Sequence, residues 1–126
     1  MTKREKVYKK FDGLCAYSGT PLKDDWQIDH IIPKALTLQK YHEIENHDDI
    51  SNLVPVQRII NHYKRALSLE DFRRWYMGGL HERLKKLPKK TNSPTTIKRK
   101  RYLLEVAGLF GITEDNPFGG KFYFEK

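Results

Sequence analysis

An acid and an imidazole stand next to each other, at Asp29 and His30, inside the apolar run from Trp26 to Pro33. Burying a carboxylate beside an imidazole is costly unless a metal ion, hydrogen bonds or an open cleft compensates them. The pair therefore indicates either a reactive or metal-binding cleft, or an ordinary strand-end histidine beside a surface aspartate. The polar residues that follow along the chain favour the first interpretation.

Three short elements would position these side chains. The bulky and β-branched residues around Asp29 predict a strand, and Asn52 opens a second strand that continues to Pro55. Asn61 follows on a predicted helix from Val56 to Leu67. Two strands and a helix that carry polar residues at these places form a ββα unit, so the predicted fold class is α+β.

At these residues the sequence resembles the HNH endonuclease family, whose fold is the ββα-metal finger. The resemblance extends from about Phe11 to Arg74 and is carried by D-H-I-I-P, N-L-V-P and I-N-H-Y-K. Asn52 and Asn61 stand nine residues apart, as the family spacing requires. The match is fairly specific because three separated polar positions must fall in register.

The resemblance implies a role for each of these residues. His30 would be the general base that activates a water, while Asp29 and Asn61 would hold one divalent cation, Mg²⁺ or Mn²⁺. Asn52 would orient the His30 ring or pin the loop between the strands. The last motif position holds Asn61 rather than His, a substitution that the family tolerates. The implied reaction is metal-dependent hydrolysis of phosphodiester bonds within DNA.

One feature of many family members is missing from the sequence. Two C-x-x-C pairs hold a structural zinc in those relatives, and the equivalent positions here are Cys15, Ser18, Gln57 and Ile60. Only one of the four can act as a thiolate ligand, so these residues cannot build a tetrahedral zinc site. We therefore expect no structural zinc, a buried Cys15, and apolar packing around Ile60 in its place.

Positive charge is concentrated in one part of the chain. The net charge is +8, and the range from Asn61 to Arg101 has 13 Lys and Arg against 3 Asp and Glu, or +10, which leaves −2 for the remainder. A basic segment beside a neutral one is typical of a nucleic-acid binder. A solvated face that keeps the protein soluble is the simpler alternative.

The cations predicted to contact the nucleic-acid backbone are Lys64, Arg65, Lys98, Arg99, Lys100 and Arg101. Lys64 lies three residues after Asn61 and so shares its helix face, which would place an ammonium beside the metal. An ordinary exposed lysine is the alternative for that position. Two other functions remain open: a non-catalytic nucleic-acid-binding module on a decayed nuclease scaffold, and a nuclease that cleaves RNA.

Further elements surround this core. A helix is predicted at residues 2–11 and another at 35–44, followed by a polar stretch. In that stretch His42, His47, Asp48 or Asp49 could approach the metal, although a solvated loop is the simpler reading of each. A final strand is predicted for the alternating tail, residues 121–126.

Two helices are predicted in the C-terminal part. Ser68 caps the first, which a Gly pair interrupts and Pro88 ends, and Ser93 begins the second, which continues to about Ala107. The aromatic residues of the first helix are expected in the core rather than as stacking surfaces for bases: Phe72, Trp75 and Tyr76.

Length and composition are consistent with one small domain. The 126 residues would divide into a nuclease core at 11–74 and a C-terminal extension at 75–126. No stretch reaches the roughly 20 apolar residues of a membrane span, and the basic N-terminus lacks the apolar region of a secretory signal. The single cysteine fits a reducing, cytoplasmic setting.

Overall fold

The computed structural model of the chain describes residues 1–32 and 48–126. Its helices are α1 (Lys3–Lys9), α2 (Arg58–Lys64), α3 (Leu69–Asp71), α4 (Leu80–Lys85) and α5 (Pro94–Phe110). The strands are β1 (Gln27–His30) and β2 (Leu53–Val56), and a π-helical segment, Phe72–Met77, joins α3 to the turn before α4. Short 3-10 helices lie at Ile50–Asn52 and Tyr123–Glu125. The α+β class is confirmed.

The two strands form an antiparallel hairpin on which the helices pack. Asp29 is opposite Val54, and His30 is opposite Leu53. Pro55 cannot donate a ladder hydrogen bond, but its carbonyl accepts one from the Ala16 N–H at 2.8 Å. The segment that precedes β1 therefore covers the outer edge of β2.

Local sequence signals set the ends of several helices. The Thr2 hydroxyl accepts a hydrogen bond from the Glu5 N–H at 3.1 Å, and the Ser68 hydroxyl accepts one from the Asp71 N–H at 3.2 Å. Ser93 caps α5 in the same way, and Gly111 ends that helix in the left-handed conformation. The predicted starts of these helices are confirmed.

The core joins the hairpin, α2, the π-helical segment and α5. Val54, Val56 and Ile60 are fully or almost fully buried, and Phe72 stacks on Phe122 with ring centroids 5.4 Å apart. Phe72 is a core residue as predicted. Trp75 is not, because 62% of it is exposed, so that prediction was wrong.

The predicted C-terminal strand is also wrong. Residues Tyr123–Glu125 form a 3-10 turn, and the Glu125 carboxylate accepts a hydrogen bond from the Phe122 N–H at 2.8 Å. Arg73 reaches the same carboxylate with two guanidinium nitrogens, at 2.6 and 2.5 Å. These contacts curl the tail back, and the alternation of its aromatic residues reflects packing against Tyr17 instead of strand pairing.

The predicted helix at 35–44, together with His42 and His47, lies outside the described residues. No helix in the two described ranges is long and apolar enough to cross a membrane.

Candidate active site at the end of the hairpin

Asp29 sits on the face of β1 that packs against α2. Its Oδ2 atom accepts a hydrogen bond from the Tyr17 hydroxyl at 2.7 Å and lies 3.1 Å from the Lys64 ammonium. Asp29 is 8% exposed and Lys64 is 0% exposed. The carboxylate predicted to bind a metal is therefore a buried group that already has one positive partner.

The position of Lys64 corrects one expectation. A lysine on the face of α2 that carries Asn61 was predicted to meet a phosphate or solvent, but this helix face packs against β1. The Lys64 ammonium also donates to the His30 carbonyl at 3.4 Å. Because the side chain is enclosed, Lys64 is not placed to contact a nucleic-acid backbone in this structure.

Tyr17 was missed in the sequence, where only its place in a turn is visible. Burial raises the pKa of its phenol well above the ordinary value, and the negative charge of Asp29 raises it further. The phenol therefore stays protonated and acts as a hydrogen-bond donor. It fixes the orientation of the Asp29 carboxylate.

His30 follows Asp29 in the strand, and alternation directs its side chain to the other face of the hairpin. Its Nε2 atom lies 2.8 Å from Asp48 Oδ1, and about a third of the imidazole is exposed. Asp48 thus contacts the histidine, which its position in a polar stretch did not reveal.

Asn52 ties the loop after β1 to the start of β2. Its Oδ1 atom accepts a hydrogen bond from the Ile32 N–H at 2.9 Å, and its Nδ2 atom donates to the Ile32 carbonyl at 3.1 Å. A backbone bond from the Ile31 N–H to the Asn52 carbonyl, at 3.0 Å, adds a third link. These contacts fit the second of the two roles expected for Asn52, which is to hold the loop. They also fix the backbone that follows His30.

Asn61 lies on α2 and contacts the same strand. Its Nδ2 atom donates to Gln27 Oε1 at 2.7 Å, and Gln27 shares a strand face with Asp29. Asn61 and Asp29 do not hydrogen-bond each other within the described ranges. The hairpin brings both to one side of the sheet through their separate partners.

The donor chemistry of this region suits a hard cation. Asp29 and Asn61 offer a carboxylate and an amide oxygen, and Mg²⁺ binds through one or two such groups while it keeps several waters. Across residues 1–32 and 48–126, no group of three or more His, Cys, Asp and Glu side chains could hold a metal ion. The cation would have to share the Asp29 carboxylate with Lys64 or displace its ammonium.

The four residues at the positions of the family's zinc ligands pack in the core or form hydrogen bonds. Cys15 and Ile60 are fully buried in the same apolar cluster. The Gln57 amide donates to the Pro21 carbonyl at 2.7 Å and to the Thr20 hydroxyl at 3.1 Å, and Thr20 in turn lies 2.7 Å from the Ser18 hydroxyl. Apolar packing and these hydrogen bonds together join α2 to the N-terminal turn.

The predicted nucleic-acid contacts other than Lys64 do not share one direction. Four consecutive cations on α5, Lys98 to Arg101, point in different directions because successive helix residues are about 100° apart. The Lys100 ammonium donates to two backbone carbonyls at 3.1 and 3.3 Å, whereas Arg99 lies beside Arg65 in one pocket.

A comparison with solved structures found similarity to the type II-C Cas9 enzyme from Actinomyces naeslundii. The TM-score is 0.47 at 19% sequence identity, and the similarity covers 91% of this chain and 12% of that chain. No protein-family model matches the sequence, and no curated protein matches it.

Proposed function

We propose that the protein is a metal-dependent endonuclease of the HNH type, which hydrolyses phosphodiester bonds in DNA. The observation that carries the proposal is the ββα arrangement of β1, β2 and α2. This unit carries the four polar residues of the family motif, with Asp29 and His30 on β1, Asn52 just before β2 and Asn61 on α2.

Asp29 and Asn61 are the residues that would hold the divalent cation. When bound, that cation would supply positive charge to a phosphate oxygen and to the leaving 3′ oxygen. Tyr17 would keep the carboxylate oriented through its 2.7 Å hydrogen bond. A fixed second partner of this kind typically supports a metal ligand in proteins.

His30 would act as the general base in its neutral form. Its Nε2 atom lies 2.8 Å from Asp48 Oδ1. The imidazole would take a proton from a water molecule while the water oxygen attacks phosphorus. The bond from phosphorus to the 3′ oxygen then breaks and that oxygen is protonated from solvent, which leaves a 5′-phosphate and a 3′-hydroxyl. Asp48 is a positioning residue, since its carboxylate stabilises the imidazolium that forms.

Nicking of supercoiled plasmid in magnesium, manganese, nickel or EDTA tests the activity. Magnesium and manganese should support nicking and EDTA should abolish it. His30→Ala should lower the rate about 10²–10⁴-fold while magnesium still binds. Asn61→Ala should instead weaken metal binding and recover partly at high magnesium, and Asn92→Ala on the exposed linker is the matched control. Parent-like rates for both His30→Ala and Asn61→Ala would place the active site elsewhere.

One observation favours a second candidate, a binding module without catalysis. Lys64 already balances the charge of Asp29, so the folded chain does not need a cation at this carboxylate. Such a module would bind DNA or RNA equally well in magnesium and in EDTA and would cleave neither. Parallel binding and cleavage measurements on DNA and RNA of the same sequence separate it from a nuclease for either polymer.

A further inference from the structure

A pocket lies between the C-terminal end of α2, the π-helical segment, α4 and α5. Its volume is about 320 Å³. Three arginines and three tyrosines dominate its lining: Arg65, Arg83, Arg99, Tyr63, Tyr76 and Tyr102. The lining contains no carboxylate.

The three guanidinium groups carry unbalanced positive charge. None of them forms an ion pair within residues 1–32 and 48–126. Arg83 is nevertheless held firmly, because it donates to the carbonyls of Trp75 and Tyr76 and to the Tyr63 hydroxyl, each at 2.8 Å. Gathering like charges is unfavourable unless an anion joins them, and a planar guanidinium matches phosphate oxygens in pairs.

The backbone of Arg65 adds an independent sign of function. Its φ is 57° with ψ at −143°, at the residue that ends α2. A side chain in this region costs about 1–3 kcal/mol, and such residues concentrate at ligand sites. Glycine would avoid this strain, yet the chain has an arginine here.

The arginines of the pocket affect the pKa values of the neighbouring tyrosines. Burial raises the pKa of the Tyr63 phenol, and the positive charges of Arg83 and Arg99 oppose that increase. Burial likewise raises the pKa of Tyr102, against the charge of Arg65. The arginines therefore surround neutral phenols whose hydroxyl groups already have partners, the Tyr76 carbonyl at 3.3 Å for Tyr63 and His62 Nδ1 at 2.8 Å for Tyr102.

The tyrosine rings provide surfaces for a flat ligand. Tyr63 meets Tyr76 with centroids 5.3 Å apart and Tyr102 with centroids 6.1 Å apart, both edge to face. Tyr76 and Tyr102 are partly exposed, and the neighbouring Trp75 is 62% exposed. Aromatic rings beside cations are typical of sites where unpaired bases stack.

We propose that this pocket binds one nucleotide of an unpaired nucleic-acid strand, with its phosphate on the arginines and its base on Tyr76 or Tyr102. The volume is at the lower end of the range for small-ligand sites, about 300–1,000 Å³, which suits a single nucleotide and not a duplex. The proposal rests on the proposed function in one respect, that the strand is the nuclease substrate. His62 and Arg65, which line the pocket, follow Asn61 on α2 by one and four residues, so one strand can contact both sites.

The test is fluorescence anisotropy of a labelled oligothymidylate in EDTA, where no cleavage occurs. Arg99→Ala should weaken binding about tenfold to a hundredfold, since it removes a charge-assisted contact. Arg65→Gly should do the same without loss of stability, because glycine suits its φ. Arg74→Ala is the matched control, an exposed arginine outside the pocket. Equal losses for Arg99→Ala and Arg74→Ala would overturn the proposal, since they would indicate general charge.

The aromatic part of the proposal has its own test. Tyr102→Leu should lower affinity for the single strand about tenfold and leave affinity for a duplex of the same sequence almost unchanged. Thymidine 5′-monophosphate should compete better than inorganic phosphate. Equal competition by phosphate, or tighter binding of the duplex, would contradict a nucleotide site.

Binding and cleavage give separate answers. His30→Ala should bind the oligonucleotide as the parent does, since it leaves the pocket intact. Loss of binding in Arg99→Ala, together with no nicking by the parent protein, would support the pocket and reject the proposed nuclease. Nicking by the parent protein, together with unchanged binding in all three pocket variants, would support the nuclease and reject the pocket.

Discussion

Replacing Lys64 by methionine tests how the buried charge of Asp29 is balanced. Lys64→Met keeps a long apolar side chain but removes the ammonium that lies 3.1 Å from Asp29 Oδ2. The carboxylate then keeps its hydrogen bond from Tyr17 but has no positive partner within the described part of the chain. We expect a large loss of stability and a stronger response to magnesium.

The magnitude follows from the geometry. Two unit charges at this separation attract by about 5 kcal/mol at an effective dielectric constant of about 20, and desolvation offsets part of that. Removing one member of a buried pair typically costs about 3–5 kcal/mol. That is a large share of the roughly 5–15 kcal/mol that stabilises a small domain. A loss of about 3–5 kcal/mol corresponds to a fall in Tm on the order of 10–20 °C.

Urea and thermal unfolding followed by circular dichroism measure the effect. Lys86→Met, at an exposed lysine, is the matched control and should change the free energy of unfolding by less than about 0.5 kcal/mol. The double variant Asp29→Leu/Lys64→Met should be more stable than Lys64→Met, because it removes the orphaned charge with its partner. If Lys64→Met is as stable as Lys86→Met, the ion pair contributes nothing.

Magnesium provides the second measurement on the same variant. A divalent cation would replace the missing charge beside Asp29, so magnesium should raise the Tm of Lys64→Met more than that of the parent. Asn61→Ala in the Lys64→Met background should reduce that gain. An equal magnesium response in the parent and in Lys64→Met would refute competition between the ammonium and the cation.

Three further outcomes are expected. Gly78→Ala should destabilise the fold by about 1–3 kcal/mol, because its Cβ would lie 2.5 Å from a backbone carbonyl of the π-helical segment. Gly108→Ala, in open space on α5, should instead stabilise the fold by about 1 kcal/mol. Chemical denaturation measures both changes. The hydrogen bonds from Arg73 lower the pKa of Glu125 below its ordinary value near 4.5. The stability that the Arg73–Glu125 pair contributes is therefore present at pH above that ordinary value and is lost as pH falls through the pKa of Glu125 in the folded state. Acid titration should destabilise the parent more than Glu125→Gln. Elemental analysis of protein purified without chelator should find well below one zinc per chain, and full zinc occupancy would contradict that expectation.

Much of the candidate site was visible before the structure. Asp29, His30, Asn52 and Asn61 stand out in the sequence because their types and spacing are unusual in short apolar segments. The roles of these residues remain proposals. The strand with Asp29 and His30 and the helix with Asn61 are present as predicted, but Asn52 ends a 3-10 helix instead of opening β2, and Val56 closes β2 instead of starting the helix. Trp75 shows the limit of this reasoning, because an aromatic residue on a predicted helix was assigned to the core and is exposed.

The sequence by itself determined the features that depend on neighbours a few residues away. Capping, backbone preference and side-chain alternation determine the helix starts at Ser68 and Ser93 and the presence of the two strands. The concentration of positive charge after Asn61 is likewise a property of composition. None of these features requires a long-range contact, which is why local patterns predict them.

Only the tertiary structure decided which charged groups are enclosed and what they meet. Asp29 contacts Tyr17 from 12 residues away, His30 meets Lys64 across 34 residues, and Arg73 meets Glu125 across 52. These pairings convert an expected surface lysine into a buried counterion and an expected strand into a 3-10 turn. The physical reason is that burial depends on which distant segments pack together. The residues next to a lysine in the sequence are the same whether its ammonium faces solvent or a carboxylate.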